Sequence, residues 1–207
     1  MHPENRTSLL NLLALYPNWQ VLDVGAHEQP TLRADWVMDI RPYETSGNQG
    51  VIAAGNSVKD EIRFSKDTWV IHDICDIPWP FKDKQFDFVI CSNVLEDIRD
   101  PIAVCRELSR VGRAGYIEVP RSAHELSQGV DAHHAGYGYH HHRWIVKWAE
   151  PVLNFLQKLH ITEEMASVAK NAIAGFEPIY WRNQIRAREI FWDGDDGYMS
   201  VLKAFVE

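Results

Sequence analysis

Histidine is the side chain best placed to take up a proton near neutral pH, and six of the ten histidines of this chain fall between His124 and His142. The segment PRSAHELSQGVDAHHAGYGYHHHRW interleaves them with Tyr137, Tyr139 and three glycines. Two chemistries are open to such a cluster. In the first, His133, His134, His140, His141 and His142 are candidate general bases, or groups that orient a substrate hydroxyl. Arg121 and Arg143 could then clamp a carboxylate, and Tyr137 and Tyr139, with Trp144 and Trp181, could floor a small-molecule pocket. In the second, His133, His134, His140 and His142, with Asp131 or Glu125, supply nitrogen and oxygen donors for zinc, iron or manganese. Their spacing matches no defined metal motif, so no metal is assigned. The plainest alternative is a surface loop whose histidines are solvated.

A second set of chemical groups sits at the ends of short apolar runs. Asp23 lies in QVLDVG, Asp39 ends WVMD, and Asp73 follows WVIH. Gly25 breaks the first run and allows the backbone to turn close to a ligand. Any one such acid is a common turn former. Three in series at strand ends suit a nucleoside: Asp39 could accept from two ribose hydroxyls and Asp73 from an adenine amine.

The elements that must position these groups follow from periodicity. Residues 5–16 read as a helix stopped by Pro17, and 20–24, 36–39, 69–71, 86–91 and 115–119 read as strands. Pro101 to Val111 reads as a helix with proline in its first turn. The segment 26–33, which contains Pro30, carries no long helix, and 43–66 has no defensible periodicity. Residues 144–159 read as a helix interrupted at Pro151. Ile179–Trp181 and Met199–Val206 read as closing strands. Strands alternating with helices or crossovers imply a parallel sheet with ligands at the strand C-terminal ends.

With 207 residues, 45% apolar and 24% charged, the chain is expected to form a single globular domain over 1–207, with an insertion at about 120–143. A formal charge of −8 argues against gripping phosphate backbones, so no nucleic-acid partner is expected. Cys75, Cys91 and Cys105 are odd in number and lack zinc-like spacing, which suits a reduced, intracellular protein. Neither a signal peptide nor a membrane span is visible, and a soluble cytoplasmic location without membrane partners is the expectation.

VLDVG, the Asp39 strand end, HDICDIPWPFKDKQFDFVICSNVLEDIRDP and RELSRVGRAGYIEVP follow one another as do the successive motifs of class I S-adenosylmethionine-dependent methyltransferases. The chain resembles that family over roughly residues 19–120, most specifically from Asp73 to Pro120. The resemblance implies an α/β, Rossmann-like class I methyltransferase fold, with a mostly parallel central sheet and helices on both faces. It also implies S-adenosylmethionine as cofactor, bound by Asp23, Gly25, His27, Asp39, Asp73, Ile74, Ser92 and Asn93. Gly25 would lie under the methionine moiety, Asp39 at the ribose, Asp73 and Ile74 about the adenine, and Ser92 and Asn93 near the sulfonium. The His-rich segment would be the lid over the methyl acceptor. Two positions depart from the pattern: His27 replaces a second glycine and is expected to crowd the pocket or push the loop aside, and Asp97 follows VLE where relatives often carry histidine. An oxygen acceptor needs a base where a neutral amine does not, so the histidines favour a small-molecule oxygen nucleophile. A catalytically inactive scaffold and a metal-dependent enzyme are the alternatives.

Overall fold

A computed structural model describes residues 1–47, 62–170, 172–194 and 197–206. The chain divides into two compact units. The first comprises Met1–Val94, Ala103–Glu118 and Pro178–Ile185, and the second comprises Leu95–Ile102, Val119–Glu177 and Arg186–Glu207.

The first unit is built on a six-stranded sheet ordered β3-β2-β1-β4-β5-β8. Its strands are β1 (Val21–Val24), β2 (Trp36–Asp39), β3 (Trp69–Ile71), β4 (Phe86–Ser92), β5 (Gly112–Pro120) and β8 (Phe176–Arg182). β1 pairs in parallel with both β2 and β4, β2 with β3, and β4 with β5. All four residues of β1 are buried, as expected of a strand covered on both faces. The sheet side chains alternate. Val21, Val37, Phe88, Ile90 and Tyr116 face one way and pack with Leu9 and Leu13 of α1 (Pro3–Ala14). Val89 faces the other way, beside Gly112 at the end of α2 (Pro101–Val111). In α2, Val104, Leu108 and Val111 are fully buried at helical spacing. Lys84 Nζ closes that helix by donating to the carbonyls of Ser109 and Gly112 at 2.5 and 2.9 Å, where a cation suits the negative helix end. No helix lies between β1 and β2, as expected for 26–33. Of the 43–66 stretch, Tyr43–Thr45 is a 3-10 turn and Phe64 is a core residue, while 48–61 lie outside the described residues.

The second unit corrects two expectations. Residues 144–159 are not a helix but an antiparallel hairpin of β6 (Trp144–Ala149) and β7 (Val152–Gln157). Pro151 lacks the donor that a helix interior needs and sits in the turn instead. The Trp, Ile and Val content of WIVKW favours a strand, and β7 is then flanked by β9 (Arg186–Ile190) in parallel. Met199–Val206 is likewise not a strand: it belongs to helix α5 (Gly197–Val206). Tyr198, Leu202 and Phe205 recur at helical spacing and are buried with Ile145, Leu156, Ile161 and Leu126. Two short helices, α3 (Ser122–Glu125) and α4 (Glu163–Ser167), complete the unit. Among the described residues, no helix is long and apolar enough to cross a membrane, and Cys75, Cys91 and Cys105 form no disulfide.

Candidate functional site

Sheet order changes direction between β1 and β4, the position at which open α/β sheets take ligands beyond their strand C-termini. The register pairs Val24 with both Met38 and Cys91, so the next residues, Asp39, Gly25 and Ser92, stand in one row. Ser92 in turn pairs with Glu118 of β5, which extends the row.

Each member of the row is held by the turn it begins. Gly25 has φ +69°, and its N–H donates to Met38 O at 2.8 Å. A Cβ there would lie 2.6 Å from Val94 Cγ2, so the position excludes a side chain on two counts. Asp39 is buried, and its two oxygens accept the backbone N–H groups of His27 at 3.0 Å and Arg41 at 2.9 Å. A carboxylate keeps further lone pairs after two such bonds. Asp23 is buried one step lower and accepts from Thr31 N at 2.8 Å, fixing the loop that replaces a helix. Burial pushes its carboxyl up to about 6, against the lowering effect of the Thr31 bonds.

The side chain of His27 is 9% exposed. It bonds Thr45 Oγ1 through Nε2 at 2.9 Å and stands edge-on to Trp69. Together with the Gly47 N–H donated to His27 O, this ties the loop after β1 to the segment after β2. Asp73 Oδ1 accepts from Cys75 N at 2.8 Å, and Ile74 is buried with its carbonyl accepting the indole N–H of Trp79. Asn93 follows β4 at φ +55°, a conformation that asparagine tolerates. Its Oδ1 is buried without a hydrogen-bond partner.

Glu118 is a member of the row that was not singled out from the sequence. It is fully buried and accepts from Tyr116 Oη at 2.7 Å, Asn5 Nδ2 and His2 N at 2.8 Å each, and Ser92 Oγ at 3.2 Å. A charge inside the apolar run GYIEV was the available signal, since a buried acid must be paired.

The His-rich segment belongs to the second unit. Asp131 organises its outer turn: Oδ1 accepts His133 N at 2.9 Å, and Oδ2 accepts His140 N at 3.2 Å and lies 2.6 Å from His140 Nδ1. These contacts, the His140 ring first, hold the Asp131 carboxyl well below the usual range. His133, His134 and His140 are exposed, and His134 Nδ1 accepts Gly136 N. His142 points inward, its side chain 6% exposed, with Nδ1 2.6 Å from Glu125 Oε1. Lys158 Nζ donates to Glu125 Oε2 at 2.7 Å and to Tyr139 O at 2.6 Å. Gly138, at φ +62°, permits this approach, because a Cβ there would meet Glu125 O at 2.3 Å. Burial pushes the Glu125 carboxyl up, but the His142 bond and Lys158 outweigh it and leave it low.

The Tyr139 ring lies against His142 at a centroid distance of 4.6 Å, and Tyr137 packs on the core of this unit. His134, His140, His142, Tyr137 and Lys158 line a cavity of about 480 Å³. Arg121 Nε lies 2.8 Å from Glu177 Oε2, unaligned for a hydrogen bond, and Arg143 is exposed. Burial pushes the Asp97 carboxyl up, although His142 and His141 act the other way.

Residues 35–117 match the model of the methyltransferase domain family, which bears out the resemblance of the motifs over that stretch. No curated protein matches the chain. Among solved structures, MccD protein is 14% identical at a TM-score of 0.45, over 60% of this chain and 56% of that one. The chain therefore spans little more than half the length of MccD. An S-adenosylmethionine-dependent methyltransferase from Mesorhizobium loti is 14% identical at 0.41, over 72% of this chain and 63% of that one. The N-terminal domain of EvdMO1, solved in the presence of SAH and D-fucose, is 14% identical at 0.42, over 99% of this chain and 73% of that one.

Proposed function

We propose that this chain is an S-adenosylmethionine-dependent methyltransferase acting on a small-molecule acceptor, with an oxygen as nucleophile. One observation carries the reading. Beside the Asp39 carboxylate, Gly25 and Asn93 both hold positive-φ backbone, and the buried Asn93 Oδ1 has no donor. An unsatisfied buried acceptor costs about 1–3 kcal/mol, and a ligand bearing N–H or O–H groups relieves that cost. The methyltransferase-domain match of residues 35–117 supports the same reading.

When bound, the cofactor supplies an electrophilic methyl group on a sulfonium. Asp39 would hold the ribose hydroxyls with the lone pairs that His27 and Arg41 leave, and Gly25 would let the backbone pass beneath the methionine moiety. Asp73 and Ile74 would flank the adenine. Ser92 and Asn93 would line the sulfonium side, with Asp23 and His27 shaping the turn. The protein's remaining task is to align the acceptor and exclude water. An oxygen acceptor must also lose its proton, and at least one of the lid histidines 133, 134, 140, 141 and 142 would take that proton or orient the acceptor. Tyr137, Tyr139 and Arg143 would contact the acceptor, and Arg121 would clamp a carboxylate only by exchanging it for Glu177. In this reading residues 1–207 act as one functional domain.

Calorimetry of the full chain with S-adenosylhomocysteine tests the proposal directly. Saturable one-to-one binding is expected, weakened at least tenfold in Asp39→Asn. A well-folded chain that binds none of it is a scaffold and not an enzyme of this class.

A further inference from the structure

The lid histidines raise the question of a metal, and the structure assembles different donors from those that composition alone suggests. Asp97 lies on the segment Leu95–Ile102 of the second unit, as do His141 and His142 on their own stretch of it. Glu96 O accepts Arg143 N at 2.7 Å and Trp144 N at 3.1 Å, and Ile98 O accepts Trp144 Nε1 at 2.9 Å. These bonds clamp the Asp97 segment to the chain that leaves the His pair. Asp97 Oδ1 then lies 3.6 Å from His142 Nε2 and 3.9 Å from His141 Nε2. Both separations are too long for hydrogen bonds, and Oδ1 is buried with no hydrogen-bond partner at all.

That spacing is what an ion needs. One donor atom from each of the three residues falls within 4.8 Å of the others. Ligand bonds to zinc of about 2.0–2.2 Å at tetrahedral angles place donors about 3.4 Å apart, so a small contraction closes the set. The tautomer is prepared as well. His142 Nδ1 is occupied by Glu125 Oε1 at 2.6 Å, and Glu125 is itself held by Lys158 at 2.7 Å. With Nδ1 donating to Glu125, Nε2 presents its lone pair toward Asp97. This is the carboxylate–histidine arrangement that orients metal ligands. The second grouping, Asp131, His140 and His141, is a weaker candidate, because Asp131 and His140 already satisfy each other at 2.6 Å.

We propose that Asp97 Oδ1, His141 Nε2 and His142 Nε2 bind one divalent transition-metal ion, with Glu125 as the positioning residue for His142. Two imidazoles and one carboxylate suit zinc, iron or manganese and leave coordination positions open. Asp97 and His141 are 37% and 52% exposed, so an oxygen ligand can reach the open side. The site stands independently of the methyltransferase reading. The role we give it rests on that reading: a coordinated hydroxyl or carboxylate of the acceptor would be held by the ion, and a hydroxyl would lose its proton more readily.

The test uses the full chain, stripped by chelator and titrated with Zn²⁺ by calorimetry and with Co²⁺ by visible absorption. One equivalent should bind, with cobalt bands of a four- or five-coordinate site. Asp97→Asn and His141→Ala, both on partly exposed side chains, should each weaken binding at least tenfold while melting like wild type. Glu125→Gln should weaken it roughly 10–100-fold, and His133→Ala and His140→Ala should leave it within about threefold. Absence of stoichiometric binding in the wild type overturns the site. So does binding that survives both Asp97→Asn and His141→Ala, which would place the ion elsewhere. Neither cofactor nor acceptor is needed, so this measurement and the S-adenosylhomocysteine titration fail independently.

Discussion

Replacing Gly25 by alanine isolates the physics of the turn that the candidate cofactor site is built on. Two costs follow from the structure. An alanine held at φ +69° pays about 1–2 kcal/mol for left-handed backbone. Its Cβ would also sit 2.6 and 2.9 Å from Val94 Cγ2 and Cγ1, with Val94 itself buried. Overpacking of that kind costs about 1–3 kcal/mol. The expected loss is therefore about 2–5 kcal/mol out of a total of about 5–15, enough to lower the urea midpoint sharply while leaving a folded population in water. The double-mutant cycle with Val94→Ala separates the two costs. Removing the valine methyls eliminates the clash and not the backbone strain, so the double mutant should recover about 1–3 kcal/mol relative to additivity. Denaturant unfolding of the four proteins measures this without any ligand. Strict additivity within about 0.5 kcal/mol would refute the contact with Val94, and a Gly25→Ala protein as stable as wild type would refute the turn itself.

Three further substitutions read the same unit. Asp39→Asn should weaken S-adenosylhomocysteine at least tenfold in calorimetry and cost about 1–3 kcal/mol of stability, since one of two backbone donors loses its acceptor; unchanged affinity would remove Asp39 from the site. His27→Gly should lower the melting temperature, because the Thr45 bond and the buried ring are lost, while affinity holds or tightens; a large loss of affinity would make the ring a ligand contact. Asp23 predicts a pH dependence. Its folded pKa of about 6 exceeds the ordinary aspartate value of 3.8, so the native state holds the proton more tightly than the unfolded chain. The stability it contributes is fully present below about pH 4 and is lost as pH rises through about 6, amounting to about 3 kcal/mol. The wild-type minus Asp23→Asn difference, followed by denaturation from pH 4 to 7, should show that decline, and a flat difference would overturn the assignment.

What could be read from the sequence tracks how local each determinant is. The strands of the first unit were legible because VLDV, WVMD and FDFVIC are short apolar runs bounded by Gly, Pro or acids, and burial in a parallel sheet needs little else. The second unit was not. WIVKWAEPVLNFLQ is apolar almost throughout, which fits a buried helix and a buried hairpin equally well until β9 arrives to flank β7. The α5 segment failed for the opposite reason: YMSVLKAFV is rich in β-formers, but the helical spacing of Tyr198, Leu202 and Phe205 meets a surface made by β6 and β7. In both cases a tertiary partner outweighed local propensity.

The same distinction applies to the sites. Acids at strand ends could be found because the strand itself points them to one edge, and the register places Asp39, Gly25 and Ser92 in a row. Glu118 belongs to that row by the same rule, and its neighbours Tyr116 and Asn5 explain how a charge survives there. The His-rich segment obeys no such rule. Counting histidines drew attention to His133, His134 and His140, which the structure leaves exposed, and away from Asp97, some 45 residues before the His141–His142 pair. What joins Asp97 to the pair is the Glu96 carbonyl, which accepts Arg143 N and Trp144 N, and the Ile98 carbonyl, which accepts the Trp144 indole N–H. The donors, Arg143 and Trp144, stand where β6 begins, in a stretch that periodicity read as the start of a helix, so the contact that gathers the three groups was hidden from the sequence.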